Sequence, residues 1–526
     1  MTSDAVVVVG GGHNGLVCAA YLARAGVPVT VLEARPTVGG CTSTVEAIGA
    51  RVNVCNCDHS MIRGTSIPEE LGLEQFGLRY LEVAPVQLSL TWTDEAPWFL
   101  FSDVEATLAS IGRSHPGEVA GYRNYLKAAI PVARLVQQLS ADPVAARSVL
   151  HSLAERRGAG TARLLAWSRR SAAEIVRSYF ASEALRGPVL TTGPAVWGLS
   201  PEGAGTGLGA LGYAVRHLLP VGRPEGGSGG LPAAIAASLQ ASGGSIRTGA
   251  TVAAVRVTKG AVHGVRLASG EEIEATVVVV ATDPRQAFVE WLTEVPPGAA
   301  RLVRRWRRRP VVDGYESKLD AVVAERPRFR ALERRGGPAA HGVDEALVPT
   351  AVVALPVPEM VEAHRAMARG RVAGSPMLFV NVPSVLDPTM AVADGDVLSL
   401  EVLFTPYRLA GGWVGSAEPE RWLERFARLV QPGWRASVRR YRAMTPPDFE
   451  AQFHLSRGHA PSFAGGPLVA LMGRDPELLR YETAIPGLFL TGGATFPGAG
   501  VWGASGRATA SVVLRHLGAP ALAAVL

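Results

Sequence analysis

Apolar residues run without interruption at Ala5–Val9 (AVVVV) and again between Thr276 and Ala281 (TVVVVA). Unbroken runs of this length suit strands buried on both faces of a parallel sheet. Between the first run and a second strand-like stretch, PVTVLE ending at Glu33, lies LVCAAYLARAG, a helical pattern with Gly26 at its C-terminal end. Further on, IRTGATVAAVRV, VHGVRL and EIEATVVVVATD are separated by turns at Lys259-Gly260 and Ser269-Gly270. That spacing predicts an antiparallel meander whose last strand rejoins the main sheet. Residues from about 66 to 224 are mostly helical in pattern, as in GYRNYLKAAIPVARLVQQL and ARSVLHSLAERR. From 291 to 454, SKLDAVVA, SPMLFVNVP and DVLSLEVLF add strands. Their alternation predicts an antiparallel sheet with helices on its far side, so the chain reads as α/β.

A length of 526 residues suits two or three interleaved domains, and 48% apolar with 19% charged residues is a globular balance. The net charge of +6 is carried almost wholly by arginine, since Lys127, Lys259 and Lys318 are the only lysines. One dense run, Arg301 to Arg309, reads either as a solvated helix face or as a contact for anionic lipid or an acidic partner. No recognised nucleic-acid module surrounds it, so no nucleic-acid partner is expected. Nothing approaches the roughly 18 uninterrupted apolar residues of a spanning helix. The first strand begins at Ala5, which leaves no room for a secretory leader. The expectation is a cytoplasmic protein, with peripheral membrane attachment through Arg301–Arg309 as an open variant. Cys18, Cys41, Cys55 and Cys57 all fall at the N-terminal end, so the chain is not disulfide-stapled. Cys55-x-Cys57 with Cys41 reads as packing thiols or as a redox or metal site.

The first apolar run ends in Gly10-Gly-Gly12-His13-Asn14-Gly15, which opens the helix, and Glu33 follows 18 residues after Gly15. This is a G-x-G-x-x-G in the strand–turn–helix–strand setting that a dinucleotide site requires. Gly10 permits the tight turn, Gly12 a close approach to pyrophosphate, and Gly15 close helix–strand packing. The helix N-terminus offers free N–H groups to phosphate. Glu33 would accept from both ribose hydroxyls, which disfavours a 2′-phosphate.

After Glu33 the chain continues Ala34-Arg35-Pro-Thr-Val-Gly39-Gly40. This E-x-R-x-x-x-G-G extension resembles the flavoprotein superfamily of amine oxidases and phytoene desaturases, and Cys41 stands where many members carry arginine. Two later blocks carry the same resemblance. One is Gly226-Gly-Ser-Gly-Gly230 with the meander after it, where Val252 matches the residue set against the adenine. The other is Thr491-Gly492-Gly493 through Phe496-Pro-Gly-Ala-Gly500-Val501-Trp502-Gly503. The opening VVVGGGHNGLVCAAYLARAG and the stretch VLDPTMAVADGDVLSLEVLFTPY are similar to the branch of pyridine nucleotide-disulfide oxidoreductase domain-containing protein 2. Phe496 replaces the usual histidine and Trp502 a frequent proline, both departures near the flavin face.

The resemblance implies a Rossmann-like FAD-binding domain of the glutathione-reductase type, split as 1–65, 225–290 and 455–526. A substrate domain of 66–224 and 291–454, helical plus antiparallel sheet, is inserted into it. It implies non-covalent FAD held by Gly10, Gly12, His13, Asn14, Gly15, Glu33, Ala34, Arg35, Gly39, Gly40, Val252, Gly492, Gly493, Gly500 and Val501. The helix after Gly503 would direct N–H groups at the flavin ring. Lys318 falls where amine oxidases hold a water near flavin N5, or else is an ordinary strand lysine. His59, His454 and His459 are candidate acids or bases, or simply hydrogen-bonded. No hydrolase or zinc motif is present. The activity expected is hydride transfer from a C–H of a lipophilic or aromatic small molecule to the flavin, as a desaturase, dehydrogenase or oxidase. The alternatives are a redox-neutral polyene isomerase or ketolase, or a flavin-bound non-catalytic scaffold.

Overall fold

A computed structural model describes residues 6–55, 58–93, 95–141, 160–344, 348–463 and 475–524. The chain opens with strand β1 (Val6–Val9), helix α1 (His13–Arg24), strand β2 (Val29–Leu32) and a hairpin of β3 (Thr44–Ala47) and β4 (Ala50–Asn53). Strands β5 (Gln87–Thr91) and β6 (Trp98–Leu100) precede the long helix α2 (Val119–Ala141). Helix α3 (Gly230–Ala241) leads into β7 (Ser245–Arg247), then β8 (Val252–Thr258), β9 (Ala261–Leu267), β10 (Glu272–Glu274) and β11 (Val277–Val280). After helix α4 (Ala300–Arg308) come β12 (Glu316–Val323), β13 (Thr350–Ala354), β14 (Leu378–Asn381), β15 (Asp396–Leu403) and β16 (Val438–Met444). Strand β17 (Leu488–Leu490) and helix α5 (Ala504–His516) follow.

Strands from three distant stretches build one five-stranded sheet in the order β17-β11-β1-β2-β7, parallel throughout. The valine runs explain its centre. Val6–Val9 and Val277–Val280 pair in register and lie at most 4% exposed, so both faces of each strand are covered. Helices α1, α3 and α5 pack on one side, and the antiparallel β8-β9-β10 sheet covers the other. Helix α1 carries Ala19, Ala20 and Ala23 where it meets its neighbours. The approach to α5 is closer still: a Cβ on Gly506 would lie 2.3 Å from the Asn14 carbonyl oxygen. Only glycine lets two backbones meet at that separation.

The second sheet has seven strands in the order β16-β12-β15-β14-β13-β5-β6. It is mixed rather than antiparallel, because β5 runs parallel to β13 in the register Leu88–Ala351. Sequence periodicity reads this part of the chain as mostly helical and singles out no strand in it. QLSLT and WFL are too short to announce themselves, and it is their seat at the sheet edge that makes them strands. The stretch ARSVLHSLAERR lies outside the described residues. Along β12, Leu319, Ala321 and Val323 face the apolar cluster that contains Trp422, Phe426 and Trp434. The alternate residues point the other way, where Val322 meets Ala50 and Val52 of the hairpin. That second face looks onto the parallel-sheet part of the molecule.

Candidate active site

The glycine loop after β1 is built to admit a ligand. Gly10 takes φ +106°, and a Cβ on Gly15 would sit 2.2 Å from the Gly10 carbonyl, so the helix is drawn tight onto the turn. Helix α1 starts from Gly12 with no side-chain cap, leaving its first N–H groups directed outward. A Cβ at Gly12 would meet nothing within 4 Å. Beside it, the buried Oδ1 of Asn14 has no hydrogen-bond partner among the described residues. An open cradle with uncapped N–H donors is what a dinucleotide pyrophosphate would complete, while the orphaned Asn14 oxygen is left to accept from a hydroxyl of the same ligand.

The second glycine pair closes the same loop. Gly39 donates its N–H to the Gly11 carbonyl at 2.8 Å and forms a parallel bridge with Gly12. Gly40 approaches the Gly12 Cα to within 3.4 Å of a Cβ position. Glu33, 7% exposed at the end of β2, accepts hydrogen bonds from the backbone N–H of Gly11 (2.7 Å) and of Arg35 (2.9 Å). Its carboxylate is thus fixed by the loop, with lone pairs left for ribose hydroxyls. Ala34 links the two. Arg35 reaches back to the Gly40 carbonyl (3.3 Å) and Ser43 Oγ (3.2 Å), and its guanidinium lies 4.2 Å from the Phe453 ring centre. Val252 starts β8 two residues after Ala250, whose N–H donates to the Glu33 carbonyl at 2.8 Å.

His13 ties the blocks together. Its ring nitrogens meet Asn14 Nδ2 at 3.0 Å and Thr42 Oγ1 at 3.2 Å, and it hydrogen-bonds the Gly500 backbone of the C-terminal block. Burial pushes its pKa down to about 4, so it is neutral near pH 7. Gly492 donates to Ser505 Oγ (3.1 Å), Gly493 accepts from the Phe463 N–H (2.8 Å), and Val501 is buried at the entrance to α5. Phe496 packs edge-on against Phe463, 5.7 Å between ring centres, and Trp502 folds back over Gly500.

Facing this cradle, β12 carries a polar row. Lys318 is 5% exposed and its ammonium donates to Asp320 and to Ser399 Oγ (3.1 Å). Asp320 is wholly buried and also accepts from Ser399 Oγ (2.5 Å) and Arg442 Nε (3.1 Å). Lys318 is therefore held by a carboxylate on its own strand rather than left free. Two groups that sequence reasoning missed complete the row. Glu401 stands directly across from Lys318 in the β12–β15 register, and Glu316 lies diagonal to it. The two carboxyl groups hydrogen-bond each other, and burial together with their mutual repulsion holds Glu316 well above the usual carboxylate range. The available signal was charge at positions 316, 318 and 320, every second residue of a strand that, Ser317 apart, is otherwise apolar. Its partner at 401 is visible only once strands pair.

Cys41 and Cys55 flank the β3–β4 hairpin and come together, thiol hydrogen-bonded to thiol, beside Glu316. Cys57 lies outside the described residues, and Cys18 is a core thiol of α1. Among the described residues no cluster of His, Cys, Asp and Glu could hold a metal ion. His59 is buried, 3.3 Å from Tyr80 Oη and 3.2 Å from Ser228 Oγ, and burial lowers its pKa to about 3. His454 caps a helix with φ +55°. His459 packs on the Tyr315 ring at 5.9 Å, close to the Glu316 cluster. Of the arginine run, Arg305 is spent on Asp475 (3.1 Å) and Glu477 (2.5 Å), and Arg309 pairs with Asp475 at 3.3 Å. Arg301, Arg304, Arg307 and Arg308 remain exposed. Among the described residues no helix is long and apolar enough to cross a membrane.

A glycine cradle between a parallel sheet and a facing mixed sheet defines a flavin-dependent oxidoreductase, and comparison with known proteins agrees. The sequence model described as "Flavin containing amine oxidoreductase" matches residues 15–315, and the chain belongs to that FAD-containing family. Mouse pyridine nucleotide-disulfide oxidoreductase domain-containing protein 2 is 30% identical over 97% of this chain and 93% of its own length. The neurosporene-forming phytoene desaturase of Cereibacter sphaeroides is 26% identical over 96% and 93%. Putrescine oxidase bound to putrescine shares the fold, with a TM-score of 0.62 at 17% identity over 97% of this chain and 99% of that one.

Proposed function

We propose that this oxidoreductase removes two electrons from a C–H bond of a lipophilic or aromatic small molecule. The observation that carries the reading is the cradle, with its uncapped helix start and orphaned Asn14 Oδ1, opening toward the polar row of β12. Bound FAD supplies a ring that accepts hydride at N5. The chain's part is to bind and orient: Gly10, Gly12, Asn14 and Gly15 for the pyrophosphate, Glu33 for the ribose, Val252 for the adenine end. Gly492, Gly493, Gly500 and Val501 border the ring. Phe463, Phe496 and Trp502 offer apolar surface beside it, which suits a substrate with little charge and excludes water. Lys318 is the fixed cation of this face. On this reading 1–65, 225–290 and 455–526 form the flavin domain, and 66–224 with 291–454 the substrate domain.

Among relatives, one is named for a polyene and a fold neighbour for a diamine, so both classes belong in the test. Purified protein is mixed anaerobically with polyenes, aromatic amines, aliphatic amines and amino-acid derivatives, and flavin absorbance is followed. Bleaching by any of these supports the reading. Product formed without net bleaching under anaerobic turnover would make it an isomerase. Flavin that is bleached by dithionite but by no member of these classes would overturn C–H oxidation in favour of a scaffold.

A further inference from the structure

The paired carboxyl groups of β12 and β15 have no place in flavin binding. Burying two acids side by side is costly unless something is gained. Their surroundings are fixed from every side. On β12 stand Lys318 and Asp320, on β15 Ser399, and on β16 Arg442. Cys41 and Cys55 approach from the hairpin flanks, and Tyr315, stacked on His459, from the start of β12. The charges of the row can be counted. Asp320 and Glu401 are balanced by Lys318 and Arg442, so the row is neutral when Glu316, the third carboxyl group, carries a proton.

The row also lies where chemistry would occur. Cys41 directly follows Gly40, which closes on Gly12 of the cradle, and Cys41 interacts with Glu316. Glu316 and Glu401 are only partly covered by protein, whereas Lys318 and Asp320 behind them are buried. The two carboxyl groups therefore keep a partly exposed edge, on the face of β12 where Cys41, next to Gly40 of the cradle, meets Glu316.

We propose that Glu316 and Glu401 share one proton at the reacting side of the cradle and together form the acid–base group of the oxidation. Glu401 takes the proton that the substrate releases. The substrate's X–H bond (X being nitrogen or carbon) breaks, and its electron pair becomes the new double bond. An O–H bond forms on Glu401. The adjacent C–H pair departs as the hydride of the reaction proposed above, on which this inference rests. Glu316 keeps its own proton and hydrogen-bonds its neighbour, and the pair stays doubly protonated beside the reduced flavin, returning one proton to water only when the flavin is reoxidised. Burial raises the Glu401 carboxyl above its ordinary range, and Lys318, opposite it, pulls against that rise as a positioning residue.

The end state of this step is a reduced flavin beside a doubly protonated pair, and electrochemical reduction reaches it without any substrate. Reduced-minus-oxidised infrared difference spectra of the holoprotein, taken at an electrode at about pH 8, should show a new C=O stretch of a protonated carboxylic acid that shifts in D2O. The band should be absent in Glu401→Gln and displaced in Glu316→Gln. Glu401→Asp, which keeps the carboxyl group, should move the band rather than abolish it, and so decides the matter if the amide variant does not fold. No acid band in the parent protein, or the same band in Glu401→Gln, overturns the proposal. Protein that purifies without FAD overturns the flavin reading instead, so the two failures are distinct.

Discussion

Replacing Glu33 with alanine separates loop architecture from cofactor recognition. In the protein alone the carboxylate accepts two backbone N–H groups, from Gly11 at 2.7 Å and Arg35 at 2.9 Å. A hydrogen bond to a charged group contributes about 1.5–3 kcal/mol. The Gly11 contact is buried, so its donor is left without a partner, whereas water can reach Arg35. The apoprotein should therefore lose about 2–4 kcal/mol of stability, read as a lower midpoint of urea unfolding. The holoprotein loses the ribose acceptor as well. A single charge-assisted contact of about 1.5–3 kcal/mol weakens FAD binding roughly ten- to hundredfold. Both effects are measurable on one preparation: FAD is stripped, unfolding is followed by far-UV dichroism, and affinity is titrated by flavin fluorescence where the variant is still folded. Glu33→Gln, with one acceptor oxygen, should fall between. Reduced apoprotein stability with an unchanged FAD Kd would refute the ribose assignment and leave Glu33 as a loop brace alone.

No cysteine follows Cys57, so acid precipitation should release yellow FAD into the supernatant, and flavin retained in the pellet would contradict non-covalent binding. Lys318→Met leaves Asp320 with Ser399 and Arg442 as partners, so it should fold with lowered stability and retain FAD. Oxygen should then reoxidise the reduced flavin about tenfold more slowly, equivalent to about 1.4 kcal/mol of barrier; an unchanged stopped-flow rate would remove Lys318 from the site. His13 and His59 are depressed by burial from 6.5 to about 4 and about 3, so the unfolded chain protonates first as pH falls. Stability is unaffected by them above about pH 6.5 and should drop progressively below it, to about pH 4 for His13 and about pH 3 for His59. His59→Phe should flatten the slope, and a slope identical to the parent's would place the titration elsewhere.

The parallel sheet was legible because burial on both faces leaves no alternative to a valine run, and the glycine spacing around it follows from backbone contacts that exclude a Cβ. What periodicity missed depends on partners far away in sequence. Gln87–Thr91 becomes a sheet strand only through Thr350–Ala354 beside it. Lys318 was singled out by resemblance, and Asp320 lies two residues along the same strand, yet Ser399 and the facing Glu401 come from pairing of β12 with β15, and Arg442 from β16. Charge spaced by two along an apolar strand signals a polar face, but not what that face meets.

The close crossing of α1 and α5 has a consequence in time. The loop that greets the cofactor is made first, at His13, whereas the helix that backs it and the Gly500 backbone that steadies His13 come about 490 residues later. At roughly 5–20 residues per second, the two halves are separated by roughly 25–100 s of translation. For about the first half of that interval β1 lacks its partner β11, and β11 in turn waits for β17 until near the end. The nascent chain thus cannot close on FAD until α5 is made, although its two valine-rich strands can pair about midway through the interval.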